Sequence, residues 1–358
     1  MLATTRRRGL MALGAALVGG FPSPARNLEF SPSPCLSGVE EWEEFKRLYL
    51  LPEGRVVDTG NQNNSHSEGQ GWGLLLAEAF GDAASFNRIL AWTRGELARP
   101  YDALHAWAWR PDRPVHVEDR NNATDGDIFI AWAAARAARR WGRPELRELS
   151  LRILQDLQQA CLRVVGGQRL LLPAAFGFEH PGYLVVNPSY YVFPAFAEFA
   201  NLMPGGDWLG LQRDGLDLLR QARFGRWGLP PDWLQLASNG VAEAPRPAQG
   251  WPPRFSYDAV RVPLYLAWAG LPHEPAVQAA AEFWASTQRQ DMPAWAELVS
   301  NATAPYPAAS GTRAIAQLVR DPAALPTDLP KVRDAQNYYD AALILLARLA
   351  TFERSLQA

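Results

Sequence analysis

The chain has 358 residues, a length that allows one large domain or two ordinary ones. Its formal net charge is -2, so no basic surface argues for nucleic-acid binding. Fourteen tryptophans are more than core packing usually requires, and flat aromatic faces bind sugars, bases and other rings. Without a basic patch for a nucleic acid, these residues favour a carbohydrate ligand.

The first 25 residues have the pattern of an export signal. Arg6–Arg8 precede a short apolar run, Leu10–Gly20, and a small-residue cleavage motif ends at Ala25. The run is too short to span a membrane. It resembles a twin-arginine signal, and the general export route stays open as well. We therefore expect residues 1–25 to be removed, a flexible lead-in over residues 26–38, and a periplasmic or secreted protein with no membrane insertion.

Helical periodicity dominates the rest of the chain, residues 39–358, which we predict to be one all-α domain. Polar loops at alternate helix junctions suit a double-layered α/α barrel, whose inner helices begin at one rim and whose rim loops form a cleft. A solenoid would be expected to show repeats, and none is visible. The sequence also predicts a hairpin or loop around Gly166-Gly167 and a long surface loop over residues 225–253. The predicted helices cover residues 39–51, 67–80, 82–98, 124–141, 144–164, 187–202, 207–223, 257–270, 273–290, 311–320 and 335–354.

A polar, glycine-rich stretch over residues 58–73 leads into the second of these helices. Ser67 and Gln70 have the spacing of a capping box, which would put Glu68 in the first helical turn. Glycines are poor helix formers, so their alternation here predicts that something approaches the backbone closely. We interpret that space as clearance for a sugar chain; the glycines are Gly69, Gly71 and Gly73. The alternative is a capped helix start whose Glu interacts with the helix dipole.

Three acids stand at predicted helix starts: Glu68, Asp125 and Asp258. One such acid is usually a cap. Three of them, flanked by Trp and Tyr, would meet at one end of a barrel, and glycoside hydrolysis needs one protonated and one ionised carboxyl group. A helix N-terminus lowers the pKa of Glu68, whereas a general acid needs a raised one. We therefore expect the charge of Asp125 to raise the pKa of Glu68 by repulsion.

Other features of the sequence limit the kinds of site. His66 has no second His or Cys at ligand spacing, so we expect no metal, and no cofactor-binding motif is present. Cys35 and Cys161 could pair, but one disulfide in this length is not a framework. Arg261, three residues after Asp258, would either balance the charge of that acid or form an ordinary surface ion pair.

The motifs S-E-G-Q-G-W-G, A-T-D-G-D-I-F-I-A-W-A and S-Y-D-A-V-R, around the three acids, together resemble glycoside hydrolase family 8. The motifs L-H-A-W-A-W, N-P-S-Y, G-L-P-P-D-W and Y-Y-D match in the same order. The likeness runs from about Trp42 to Leu349 and extends to the periplasmic endoglucanases that accompany bacterial cellulose synthases. The chain departs from the family at residues 58–60, at His66 and in a short segment after Ala304. These departures affect the expected sugar-binding subsites more than the expected chemistry.

The resemblance implies an (α/α)6 barrel that hydrolyses internal β-1,4 bonds of cellulose with inversion. Glu68 would be the general acid, Asp258 the general base and Asp125 the residue that holds the distorted sugar. The two catalytic carboxyl groups should then lie ~6.5–9.5 Å apart. A cellulose chain would be the substrate, and a cellulose synthase complex a further partner. The expected substrate-binding residues are Trp72, Trp107, Trp109, Tyr190, Tyr257 and Arg261.

Two other functions stay open on the sequence. The enzyme could act on a related β-1,4-glycan such as xylan, chitosan or mixed-linkage glucan. A non-catalytic glycan-binding component of the cellulose export machinery is a different class of protein, but a pure binder would need the aromatic residues and not the acids.

Overall fold

A computed structural model describes residues 38–238, 243–286, 292–321 and 323–356. The predicted export signal, almost all of the lead-in, and Cys35 lie outside these ranges. Cys161 is a free, buried thiol. Among the described helices, none combines the length and the apolar character that a membrane span requires.

The described ranges contain eleven α-helices, as many as the sequence predicts, and most begin or end within a few residues of the predicted positions. They are α1 Val39–Tyr49, α2 Ser67–Ala79, α3 Ala83–Glu96, α4 Thr124–Trp141, α5 Pro144–Cys161, α6 Phe193–Leu202, α7 Trp208–Gln221, α8 Arg261–Trp268, α9 Pro275–Ala285, α10 Ser310–Arg320 and α11 Tyr338–Ser355.

The helices form two layers, and the arrangement is the predicted (α/α)6 barrel. Contacts in the order α2, α4, α6, α8, α10, α11 and back to α2 close an inner ring. The outer helices α1, α3, α5, α7 and α9 each pack on a member of that ring. The middle turns of α2, α4, α8 and α11 are buried on nearly every face, which explains the long apolar runs in their sequences.

The glycines of α2 make room for neighbouring helices and loops. A Cβ atom added at Gly69, Gly71 or Gly73 would lie within 3.0 Å of Tyr338, Phe129 or Val56 respectively. At Gly71 that atom would also lie 3.0 Å from a backbone oxygen of α4. The prediction that these glycines give clearance to a sugar chain is therefore wrong: they allow other parts of the protein to pack closely against α2.

The start of α2 is also built differently from the prediction. Its N-cap residue is His66, and no side chain caps the helix. The Gln70 side chain accepts a hydrogen bond from the Val56 backbone N–H (2.6 Å) and donates one to Thr93 Oγ1 (2.9 Å). The capping box between Ser67 and Gln70 is thus absent, because Gln70 is buried and ties the preceding loop to α3.

In the part of the chain that the structure describes, ten short strands lie in the loops between helices. They are β1 Ser65–His66, β2 Ala108–Trp109, β3 Leu162–Val165, β4 Gln168–Leu171, β5 Glu179–His180, β6 Tyr183–Val186, β7 Leu234–Ala237, β8 Arg246–Pro247, β9 Arg254–Phe255 and β10 Ala296–Glu297. The pairs β1–β2, β3–β4 and β9–β10 are antiparallel, and β5-β6-β7-β8 form one antiparallel sheet.

Two loop predictions have different outcomes. The hairpin around Gly166-Gly167 is confirmed, since both glycines have positive φ (58° and 84°) between β3 and β4. The long surface loop over residues 225–253 is wrong in part. Strand β7 lies inside it with Leu234, Gln235 and Leu236 all buried, because it is an interior strand of the four-stranded sheet.

Candidate active site

The three predicted acids lie where inner helices begin. Glu68 and Asp125 are the second residues of α2 and α4. Asp258 lies in a turn that ends where α8 begins at Arg261, so the predicted helix start at residue 257 is early by four residues. Because inner helices of the barrel begin at one rim, these side chains come together although they are far apart in sequence.

A single buried arginine joins all three carboxyl groups. Arg261 is 2% exposed. Its Nη1 atom contacts Glu68 Oε1 and lies 3.3 Å from Asp125 Oδ2, and its Nη2 atom lies 2.6 Å from Asp258 Oδ1. The alternative of an ordinary surface ion pair is therefore wrong. Among the described residues, no group of His, Cys, Asp and Glu is arranged to hold a metal ion.

Polar and aromatic neighbours fix the position of the guanidinium. Arg261 Nη2 donates to Ser189 Oγ (3.0 Å), which donates to Asn187 Oδ1 (2.7 Å), so part of the N-P-S-Y motif holds the arginine. The rings of Trp72 and Tyr190 lie 5.7 and 6.0 Å from the guanidinium carbon, within cation–π range.

The aromatic side chains predicted to bind substrate differ in whether a ligand can reach them. Trp72 has no exposed surface, so its predicted contact with substrate is wrong; it packs in the core beneath Arg261. Tyr190 is half-buried and Tyr257 is 64% exposed. Trp107 lies parallel to His66, with ring centroids 6.1 Å apart, next to the start of α2. Trp109 packs against three side chains, those of Arg55, Trp92 and His116.

Burial perturbs two of the three acids strongly. Burial, together with the nearby charge of Asp127, raises the pKa of Asp125 to about 7, although the hydrogen bond from the Gly126 N–H acts in the opposite direction. Burial, together with the charges of Asp232 and Asp125, raises the pKa of Asp258 well above its usual range. One guanidinium can balance only one of three carboxylates, and unbalanced buried charge is costly. The cluster therefore favours retaining a proton near neutral pH, and its members titrate as a unit.

The raised pKa of Asp125 makes stability depend on pH. Because the folded protein binds this proton more tightly than the unfolded chain, the contribution is fully present below pH ~4 and is lost as the pH rises to about 7. Asp125→Asn removes the titration and keeps an acceptor for the Gly126 N–H (2.8 Å). We expect Asn to gain stability over wild type across that range, by at most ~4 kcal/mol.

Melting temperatures of both proteins, measured from pH 4 to 8, check this expectation. Asp112→Asn is the matched control, because Asp112 is exposed and lies outside the cluster. A constant difference between Asp125→Asn and wild type at every pH would contradict it.

The sequence reasoning missed Asp232, which holds the turn that carries Asp258. Its carboxylate accepts the backbone N–H groups of Ser256 (2.9 Å) and Ala259 (2.8 Å) and the Ser256 hydroxyl. Asp232 is 8% exposed. An acid inside a Pro- and Trp-rich segment, P-P-D-W, was the signal available in the sequence, since a buried carboxylate needs partners.

The sequence reasoning also missed Asp127, whose hydrogen bonds stabilise the start of α4. It is fully buried and accepts from the backbone N–H of His105 (2.9 Å) and from Asn122 Nδ2 (3.1 Å). The His105 ring nitrogen Nδ1 lies 2.9 Å from the same carboxylate. This network ties the L-H-A-W-A-W segment to the turn of α4 that carries Asp125.

An (α/α)6 barrel with acids and aromatic rings at one rim is the arrangement of a class of carbohydrate-active enzymes. Within that class, this chain belongs to the glycosyl hydrolases of family 8, whose family model matches residues 29–353. The resemblance seen in the sequence and the predicted enzyme class, a glycoside hydrolase, are thereby confirmed.

Similar proteins include named endoglucanases. A probable endoglucanase of Novacetimonas hansenii is 38% identical over 97% of this chain and 99% of its own length. An endoglucanase of Cellulomonas uda is 38% identical over 77% of this chain and 76% of its own. The solved structure of endo-beta-1,4-glucanase CMCax from Acetobacter xylinum has a TM-score of 0.84 at 39% identity and covers 88% of this chain and 98% of that chain.

Proposed function

We propose that this protein is an endo-1,4-β-glucanase that hydrolyses internal bonds of cellulose with inversion at the anomeric carbon. The observation that carries the proposal is the convergence of Glu68, Asp125 and Asp258 on one buried guanidinium. Relatives that are named endoglucanases and that match most of this chain support the choice of substrate.

Glu68 acts as the general acid and Asp258 as the general base. Glu68 donates its proton to the glycosidic oxygen as the bond from that oxygen to the anomeric carbon breaks. Asp258 takes a proton from a water molecule, whose oxygen bonds to the anomeric carbon from the opposite face. After one turnover Glu68 is ionised and Asp258 is protonated, and proton exchange with solvent restores both.

Asp125 and Arg261 prepare the site for this reaction. The Asp125 carboxyl group is fixed by the Gly126 N–H and positions the sugar beside the scissile bond. Arg261, 2.6 Å from Asp258, favours the ionised form of the base against the effect of burial. The net acid–base state thus depends on how one positive charge is shared among three carboxyl groups.

Reducing-sugar release from carboxymethylcellulose tests the activity, and loss of viscosity ahead of sugar release shows internal cleavage. Proton NMR of the first product shows the stereochemistry, since inversion gives the α-anomer. A first-formed β-anomer would contradict inversion. The same assay on xylan, chitosan and mixed-linkage glucan separates the related specificities, and a non-catalytic glycan binder would release no sugar from any of them.

The biological setting is a finer proposal. The motif resemblance to endoglucanases that accompany bacterial cellulose synthases supports export to the periplasm or medium and a role in cellulose synthesis, with a synthase complex as partner. Fusing residues 1–25 to a reporter enzyme tests export, and copurification with a cellulose synthase tests the partnership.

Asp232→Asn should lower kcat by roughly tenfold to hundredfold with little change in KM. The Asn amide has one oxygen and cannot accept all the hydrogen bonds that the turn donates, so the Asp258 carboxyl group would move out of its catalytic position. Removing a charge that raises the pKa of Asp258 also moves the acidic limb of the pH–rate profile to lower pH. The measurements are kcat, KM and that profile.

The matched control for this prediction is Asp340→Asn. Asp340 is also a buried acid that accepts backbone N–H groups at the start of an inner helix, from Gly311 and Gln336, and its carboxylate accepts no hydrogen bond from the described residues of the turn before α8. We expect Asp340→Asn to lower stability without moving the acidic limb. An equal movement of the limb in both variants would mean that Asp232 acts only on the fold.

A further inference from the structure

Three aromatic side chains near the proposed base, Asp258, lie outside the main hydrophobic core of the described residues. Tyr257 is 64% exposed, Tyr306 is 48% exposed and Trp295 is partly exposed. None of the three packs against the main hydrophobic core of the described residues, whereas Tyr190 and Tyr339 do. Exposed aromatic rings lose the hydrophobic stabilisation that burial gives, so packing does not explain their presence.

A chain of contacts holds these rings in place. The Trp295 indole Nε1 donates to the Tyr306 hydroxyl (3.0 Å). Burial, together with the neighbouring Tyr306 hydroxyl, raises the pKa of Tyr257. The guanidinium of Arg254 lies over the Trp295 ring, 4.0 Å from its centroid. We call the set Tyr257, Trp295 and Tyr306 the aromatic rim.

The backbone fixes the aromatic rim to the site. Strands β9 and β10 pair Phe255 with Ala296, which brings the Trp295 loop beside the turn that carries Asp258. The hydroxyl of Tyr339, at the start of α11, donates to the carbonyl of Tyr257. The rim is therefore continuous with the candidate active site, one peptide bond from Asp258, and needs little reordering to accept a ligand.

We propose that Trp295 and Tyr306 extend the cleft beyond Tyr257 as an additional glucan-binding subsite. The inference rests on the proposed function, because its occupant is a distal part of the same β-1,4-glucan chain. Pyranose rings present flat C–H faces that stack on aromatic rings, and their hydroxyl groups bond to the tyrosine and arginine at the edge. The subsite binds sugars that are not at the scissile bond.

A purely structural role makes a different prediction. The Trp295–Tyr306 hydrogen bond also closes a loop, in which the Ala304 N–H donates to the Trp295 carbonyl (3.0 Å). If the rim served only that loop, Tyr306→Ala would lower the melting temperature and affect all substrates equally. A subsite affects only substrates long enough to reach it.

The experiment measures kcat/KM for cello-oligosaccharides of three to six glucose units with the full chain. Tyr306→Ala and Trp295→Ala should lower the value for the longest substrate roughly threefold to tenfold and leave the shortest cleavable one unchanged. The bond that is cleaved in the longest substrate should also shift. Tyr306→Phe, which keeps the ring, should retain most of the wild-type value.

Val299→Ala is the control, because Val299 lies on the same loop, is 74% exposed and is not aromatic. An equal loss at every chain length, or no loss at any, would overturn the subsite. If the wild type cleaves none of these substrates, the proposed function fails. Calorimetric binding of the same oligosaccharides to Glu68→Gln, with and without Tyr306→Ala, then decides the subsite separately: an unchanged affinity overturns it.

Discussion

Glu68→Gln should lower kcat on β-1,4-glucan by roughly 10²–10⁴-fold and leave the fold unchanged. The amide has nearly the shape of the acid but cannot give a proton to the glycosidic oxygen. Glu68 is partly exposed at the start of α2 and contacts Arg261, so the substitution removes one titrating group from the cluster and creates no cavity. Initial rates of reducing-sugar release and the melting temperature measure the two parts of this expectation.

Glu96→Gln is the matched control for this prediction. Glu96 is an exposed carboxylate that accepts from Trp109 Nε1 (3.1 Å) near the same rim, but it does not contact Arg261. Its substitution should leave kcat within about twofold. A Glu68→Gln enzyme that keeps more than a tenth of the wild-type kcat would rule out Glu68 as the general acid.

The position of the proton in the free enzyme follows from charge balance. A helix N-terminus and a guanidinium both favour an ionised Glu68. Against this, three carboxyl groups share one arginine, and burial raises the pKa of Asp125 to about 7. That Asp125 raises the pKa of Glu68 stays a prediction. It is physically reasonable because a carboxylate beside another, with the arginine already shared, gains by binding a proton.

The sequence allowed the acids to be found because each stands at a local signal. Helix starts are local features, and Glu68, Asp125 and Asp258 follow polar loops that precede apolar runs. The burial of Arg261, by contrast, could not be predicted from a local pattern in the sequence. It depends on closure of the inner ring, which brings the first turns of α2 and α4 within side-chain reach of Arg261 at the start of α8, and no spacing within the sequence carries that information.

Two errors show where local patterns fail. Glycine in a helix indicates that something comes close, but it does not say what, and around Gly71 the neighbour is α4 and not a ligand. A segment rich in Pro, Gly and Trp indicates a loop by composition. Strand β7 is nevertheless buried there, because its neighbours in the sheet, β6 and β8, supply the hydrogen bonds that composition cannot reveal.

Arg261→Met should abolish activity and lower the free energy of unfolding by roughly 3–5 kcal/mol near neutral pH. The three carboxyl groups would lose their shared cation, and both the proposed acid and the proposed base would be mispositioned. Arg261→Lys should recover little, because one ammonium cannot replace a planar fork with two Nη atoms in contact with three acids. Urea unfolding and reducing-sugar release measure the two effects.

The control for this prediction lies at the other end of the inner helices. Arg136 is a mostly buried arginine whose Nε and Nη1 atoms lie 2.6 Å from carboxylate oxygens of Glu78 and Glu353, near the ends of α2 and α11. Arg136→Met should therefore lower stability by a similar amount and leave kcat and KM unchanged. If both substitutions reduce kcat equally in protein that is still folded, the loss of activity would come from a destabilised barrel and not from a specific role of Arg261. Loss of kcat with Arg261→Met alone would assign the effect to the cluster at the rim, because the two arginines share their chemistry and differ in which end of the barrel they serve.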